Sequence, residues 1–130
     1  MKVFYEKITG LPYFHCENGV SIEQIEKSES CLNLSFSNEY KKYLEYFGVV
    51  SVDGHELTGI CKSKRLNVVD ATNEYREYFK QVSELWYVIE VTNIDNIVIW
   101  QDKAGKIYQV QPASKPKKIA DSLLDYLIKY

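Results

Sequence analysis

Residues 86–111 read W-Y-V-I-E-V-T-N-I-D-N-I-V-I-W-Q-D-K-A-G-K-I-Y-Q-V-Q, and their pattern decides the fold class. Runs rich in β-branched and aromatic residues, at 86–91, 97–101 and 106–111, are separated by short polar breaks. Asp95-Asn96 and Asp102-Lys103-Ala104-Gly105 are turn formers. Links this short join antiparallel neighbours, because a parallel crossover needs about a dozen residues or more. In the third run, Ile107 and Val110 fall near opposite faces, which predicts a strand covered on both sides. Pro112 and Pro116 are expected to end the sheet there, since proline cannot donate to a ladder.

Outward from this meander the period becomes helical. A terminal helix is predicted from about residue 118, carrying Ile119, Ala120, Leu123, Leu124, Leu127 and Ile128. Upstream, Tyr75, Tyr78, Phe79 and Val82 mark a helix opened by Asp70 or Thr72, after a short extended piece at 66–69. Val49, Val50 and Val52, the Asp53-Gly54 turn and residues 57–60 predict a hairpin. Phe36, Tyr40, Tyr43, Leu44 and Phe47 form one stripe of a helix capped by Ser35 or Ser37, with Glu39 near its start and Gly48 at its stop. Ser21-Ile22-Glu23-Gln24 is a capping box for a first helix over about residues 21–30. The expected class is α+β: a single antiparallel or mixed sheet of about five to six strands with helices packed around it.

The 130 residues suit a single domain, 1–130, with a core that needs no metal or disulfide. Apolar and charged fractions of 45% and 26% exclude a disordered chain. Eleven tyrosines predict half-exposed rims and interfaces, where a ring is buried and its hydroxyl stays wet. A net charge of -2 supplies no field toward nucleic acid or an anionic membrane, so neither is an expected partner. The start, M-K-V-F-Y-E-K-I-T-G, lacks the apolar stretch of a signal peptide, and cytoplasmic residence is expected. Cys16, Cys31 and Cys61 show no CxxC spacing and are expected to be small buried apolar residues.

Catalytic motifs are missing. There is no nucleophile elbow, phosphate loop, zincin helix or calcium loop. His55, beside Glu56 after a turn, reads as a solvated turn residue, and a zinc site from His15, Cys16, His55 and Cys61 lacks finger spacing. No catalytic residue, metal or cofactor is expected. Glu23, Glu26 and Glu29 form a ridge at three-residue spacing, and Glu74 and Glu77 repeat it, which suits solvated faces or an acidic surface for a basic partner.

One ordered set of motifs goes beyond periodicity. Residues 14–48 contain G-V-S-I-E-Q-I-E-K and then C-L-N-L-S-F-S-N-E-Y-K-K-Y-L-E-Y-F-G, and residues 67–79 read N-V-V-D-A-T-N-E-Y-R-E-Y-F, followed by W-Y-V-I-E-V. This order resembles the SUKH superfamily, the Smi/Knr or cell-wall-assembly-regulator-like domain, over about residues 14–128. It looks most similar to its short bacterial members. Phe36-Ser37 stands where that family usually has Leu-Pro, and serine also suits a first helical turn. The segment before Ile22 is short, so the N-terminal helix of longer relatives is expected to be missing or irregular.

The resemblance implies an immunity protein, encoded beside a secreted polymorphic toxin and binding that toxin's C-terminal domain, often a nuclease or nucleic-acid deaminase. Such protection needs no active site. The resemblance assigns no contact residues. Composition instead nominates Asp53, His55 and Glu56 in the hairpin turn, Glu74, Tyr75 and Tyr78 on the third helix, and Asp95 and Asp102 at the meander turns. A SUKH scaffold or regulatory domain with no toxin partner is the alternative, and a hydrolase using His55 with Glu56 is a third reading. Monomer and weak homodimer are both open, with the last strand or an exposed tyrosine face as the pairing surface.

Overall fold

A computed structural model of the chain describes residues 2–130. In chain order, the first half holds α1 (Lys2–Thr9), β1 (His15–Cys16), α2 (Ile22–Leu32), α3 (Asn38–Phe47), β2 (Val50–Val52) and β3 (His55–Glu56). The second half holds α4 (Val68–Tyr78), β4 (Tyr87–Val91), β5 (Val98–Gln101), β6 (Ile107–Val110), β7 (Lys117–Ala120) and α5 (Leu123–Lys129). The class is α+β, but the strands form two antiparallel sheets, β1-β2-β3 and β4-β5-β6-β7, not one. A single bridge, Leu57 to Glu90, and the bond from Thr58 N to Ile89 O lead the small sheet onto the edge of the large one.

The stripe on α3 is the spine of the core. Phe36, Tyr40, Tyr43, Leu44 and Phe47 are all buried, and the Tyr40 and Tyr43 rings stack at 5.2 Å. The expectation of rim tyrosines fails here, because Tyr40, Tyr43 and Tyr87 sit fully inside with their hydroxyls paired. Tyr43 OH donates to Thr58 O and accepts from Val50 N, Tyr40 OH meets Thr58 Oγ1, and Tyr87 OH donates to Gln101 Oε1. A buried hydroxyl with a partner avoids the desolvation penalty of an orphan, so these rings can fill a core.

Several boundaries differ from the sequence reading. Lys117–Ala120 is a fourth strand beside β6, and the helix starts only at Leu123, after the Ser122 cap. A turn closed by Ser114 N to Gln111 O folds the proline-flanked segment back, so Pro112 and Pro116 bracket a link and do not end the sheet. The edge strand is thus β7, with exposed Lys117 and Lys118, and β6 is interior. Within the expected extended piece at 66–69, Asn67 is extended and forms an isolated parallel bridge with Gly59. No strand develops, because Asn67 caps α4 by accepting from Val69 N at 2.9 Å. That helix ends at Tyr78, before Val82. The N-terminal helix expected to be missing or irregular is present as α1, held by buried Phe4 and Ile8, four residues apart on one face. Cys16 and Cys31 are exposed and Cys61 is half-buried, contrary to a buried expectation.

Other readings match. The Ser21–Gln24 capping box is complete, Ser37 caps α3, and Asp53-Gly54 turns β2 into β3. The large sheet is covered on both sides. Tyr87, Ile89, Ile99 and Ile107 join the main core, while Val88, Val98, Trp100 and Val110 pack against Ala71 and Phe79 of the α4 segment.

Two backbones meet where α3 hands over to β2. Gly48 turns with φ of 71°, and a Cβ on Gly59 would stand 1.9 Å from the Gly48 carbonyl oxygen. Neither backbone can yield without moving the strand behind it. Gly59→Ala should therefore lower unfolding free energy by about 2 kcal/mol or more. Gly54→Ala, open on all sides but with φ of 82°, should cost only about 1 kcal/mol. Urea denaturation of both variants checks the ranking.

Candidate partner-binding surface

A charged residue in the middle of a buried strand organises this region. Along β4, Val88 pairs with Trp100 but Glu90 pairs with Ile99, leaving Ile89 as one extra residue. Such a bulge shifts the alternation by one. In an unbroken ladder Glu90 would share the Val88 face, under α4. The bulge turns it to the Ile99 face instead.

There its carboxylate, 5% exposed, is surrounded by donors. Oε1 accepts from Tyr126 OH at 2.6 Å and faces His55 Nδ1 at 2.9 Å, and Oε2 accepts from Glu56 N at 2.8 Å. The carboxylate fixes a proton on Nδ1. His55 is 8% exposed, not the solvated turn residue expected from its neighbours, and its Nε2 has no hydrogen-bond partner. The hydrogen bond to Glu90 holds its pKa above the ordinary 6.5 against desolvation, and Asp53 and the Tyr130 backbone add to the rise. Burial and Glu90 together push the Tyr126 hydroxyl up, so it stays a donor.

Around this cluster lies a cavity of about 400 Å³, walled by Asp53, Tyr130, Gln109 and the isoleucines 94, 97, 99 and 119. The one aliphatic hydroxyl in its lining, Thr92 Oγ1, donates to Ile97 O at 2.8 Å. His55 and Glu90 have the orientation of a base and its positioning carboxylate, but no free nucleophile lies beside them.

On the opposite face of the sheet a second cavity, about 320 Å³, opens between α4 and the same β4–β5 turn. Glu74, Tyr75, Tyr78 and Phe79 form one wall, Asn93, Asn96 and Val98 another, and Ile97 lines both cavities. Asp95 stands at the tip between them, in a turn where Asn93, Asp95 and Asn96 all have positive φ. Tyr78, Ile94 and Tyr130 are 71%, 65% and 60% exposed. Among the described residues no lysine or arginine lines either cavity.

Of the residues nominated from sequence, Asp53, His55, Glu74, Tyr75, Tyr78 and Asp95 thus converge on one end of the molecule. Two do not. Glu56 is held by Arg65, which lowers its pKa, and lines a separate groove with His15 and Cys16. Asp102 lies at the other end of β5, accepting from Lys106 N and Tyr108 OH within its own turn. Glu90, Ile94, Tyr126 and Tyr130 were not nominated. For Glu90 a signal existed: a lone carboxylate inside Y-V-I-E-V marks a buried charge that needs partners. Among the described residues no group of three or more His, Cys, Asp or Glu could hold a metal, and no helix is long and apolar enough to cross a membrane.

Because the folded-state pKa of His55 is raised, its contribution to stability is fully present below about 6.5. It is lost as pH rises through the higher folded value. Denaturation midpoints should fall as pH rises above about 6.5, and this part of the slope should vanish in Glu90→Gln. That variant also sets an amide NH2 against either Glu56 N–H or the His55 Nδ1 proton and should lose about 3 kcal/mol at neutral pH.

The chain matches the SUKH_5 family, described as SMI1-KNR4 cell-wall, over residues 11–130, a span that includes both sheets and every helix except α1. No curated protein gives a significant match. The protein belongs to the SMI1-KNR4 cell-wall family of the SUKH superfamily.

Proposed function

We propose that the protein is an immunity protein, which binds and neutralises a cognate toxin domain of the nuclease or nucleic-acid deaminase class in the bacterial cytoplasm. It acts by occupancy, not catalysis. The observation that carries this reading is the end of the molecule around the β4–β5 turn. Exposed Tyr78, Ile94 and Tyr130 are interleaved with Asp53, Glu74 and Asp95, and no cationic side chain lines the two cavities they border. Aromatic anchors supply contact energy at interfaces, and carboxylates set orientation and association rate against a basic groove. A domain that acts on nucleic acid presents such a groove. Membership of the SUKH superfamily supports the same role.

The test is coexpression with the toxin encoded beside the gene. Growth should be rescued, and the two chains should copurify as a stoichiometric complex. Tyr78→Ala and Ile94→Asp should each weaken the complex by about tenfold or more while leaving the fold intact. A toxin that kills with the protein present and forms no complex sinks the immunity role. Stable binding of a non-toxic partner would favour the scaffold reading.

A further inference from the structure

The cavity on the Glu90 face is built for one kind of guest. We propose that it receives a lysine or arginine side chain of the partner protein, inserted between Asp53 and Tyr130 toward His55 Nε2. This deepens the binding role proposed above and rests on it.

Charge comes first. The lining holds two carboxylates, Asp53 and Glu90, and one imidazole, so even with the ring protonated the cavity is left one negative charge in excess. Among the described residues no lysine or arginine lines the cavity to answer that charge. A guest cation does, and a charge buried at an interface is retained when it is paired.

The second observation is independent of charge. His55 is more than nine-tenths buried, its Nδ1 is committed to Glu90, and its Nε2 has no partner. A buried polar atom left alone costs free energy that a partner recovers. Nε2 accepts only in the neutral ring, so a guest ammonium or guanidinium N–H that satisfies it also lowers the raised pKa of His55 on binding. The Asp53 carboxylate and the Tyr130 backbone, both of which raise the pKa of the ring, are electron-rich and favour a cation.

The shape agrees. Tyr130 stacks on Tyr126 at 5.7 Å and, at 60% exposed, leaves ring surface at the mouth for a cation–π contact. Ile94, Ile97 and Ile119 offer an apolar wall for the methylene stem of a long cationic side chain. A volume of about 400 Å³ is within the range of sites that enclose a small organic group.

The experiment has two arms. In the first, the isotope-labelled protein is titrated with n-butylguanidinium and n-butylammonium, with butyrate and n-butanol as controls at matched ionic strength. The cations should give saturable shifts at His55 Nε2 and the Tyr130 amide, and the controls should not. Asp53→Asn keeps a residue that tolerates the positive φ of this turn. It should weaken the cations by about three- to tenfold, and Tyr130→Ala by a similar factor. No saturable shift, or equal shifts with butyrate or butanol, overturns the proposal. In the second arm the same variants are measured against the toxin. If the toxin binds wild type and both variants equally, the cationic guest is wrong and the immunity role stands. If the toxin does not bind wild type, the immunity role fails and the cation titration alone decides the cavity.

Discussion

The buried Glu90 carboxylate is the constraint on which this end of the structure depends. Placing it inside a sheet is expensive unless donors surround it, and the three donors come from two distant segments: the His55 ring and the Glu56 backbone from one, the Tyr126 hydroxyl from the other. They belong to β3 and α5, neither of which lies beside β4 in the four-stranded ladder. Satisfying one charge therefore ties the small sheet, the large sheet and the last helix together. The bulge at Ile89 makes this arrangement possible by choosing the face on which the charge emerges.

Elsewhere the same logic runs through neutral groups. Tyr40, Tyr43 and Tyr87 fill the core with rings and carry their hydroxyls to Thr58, Val50, Ser37 and Gln101. Each bond requires a particular neighbour at a particular height, so packing and registry are set by the same side chains. Glu39 belongs to this system. Burial pushes its pKa up, while the Leu123 and Leu124 amides and Gln101 oppose that rise.

Much of this was legible in the residues, and the failures share a cause. The α2 capping box, the α3 stripe, the Asp53-Gly54 hairpin and the meander are local patterns, decided within a few residues. What escaped was decided by distant contacts. Ile119 and Ala120 sit at helical spacing from Leu123, but pairing with β6 makes them strand, because a short apolar run carries no period of its own. Phe4 and Ile8 give too little pattern to announce a helix until α5 lies against them. Six of the eight nominated contact residues gather around the β4–β5 turn, because exposed turns and helix faces are visible in composition. The carboxylate at the centre was not nominated: unbroken alternation would set it beside Val88, under α4, and only the bulge reveals where it points.

The Glu39 carboxylate accepts from Leu123 N at 2.7 Å and Leu124 N at 3.1 Å, so a residue near the start of α3 caps the final helix across 84 residues of chain. Contacts of such separation form late, because loop closure must precede them. During synthesis α3 can coil and the hairpin can turn, but Glu39 waits without its partners until Leu123 and Leu124 have left the ribosome. At about 5–20 residues per second that wait lasts several seconds. The finished surface around the β4–β5 turn, whose cavity includes Tyr126 and Tyr130, thus exists only once those two residues have emerged. A truncated translation product would expose an incomplete core and present no competent face to a partner.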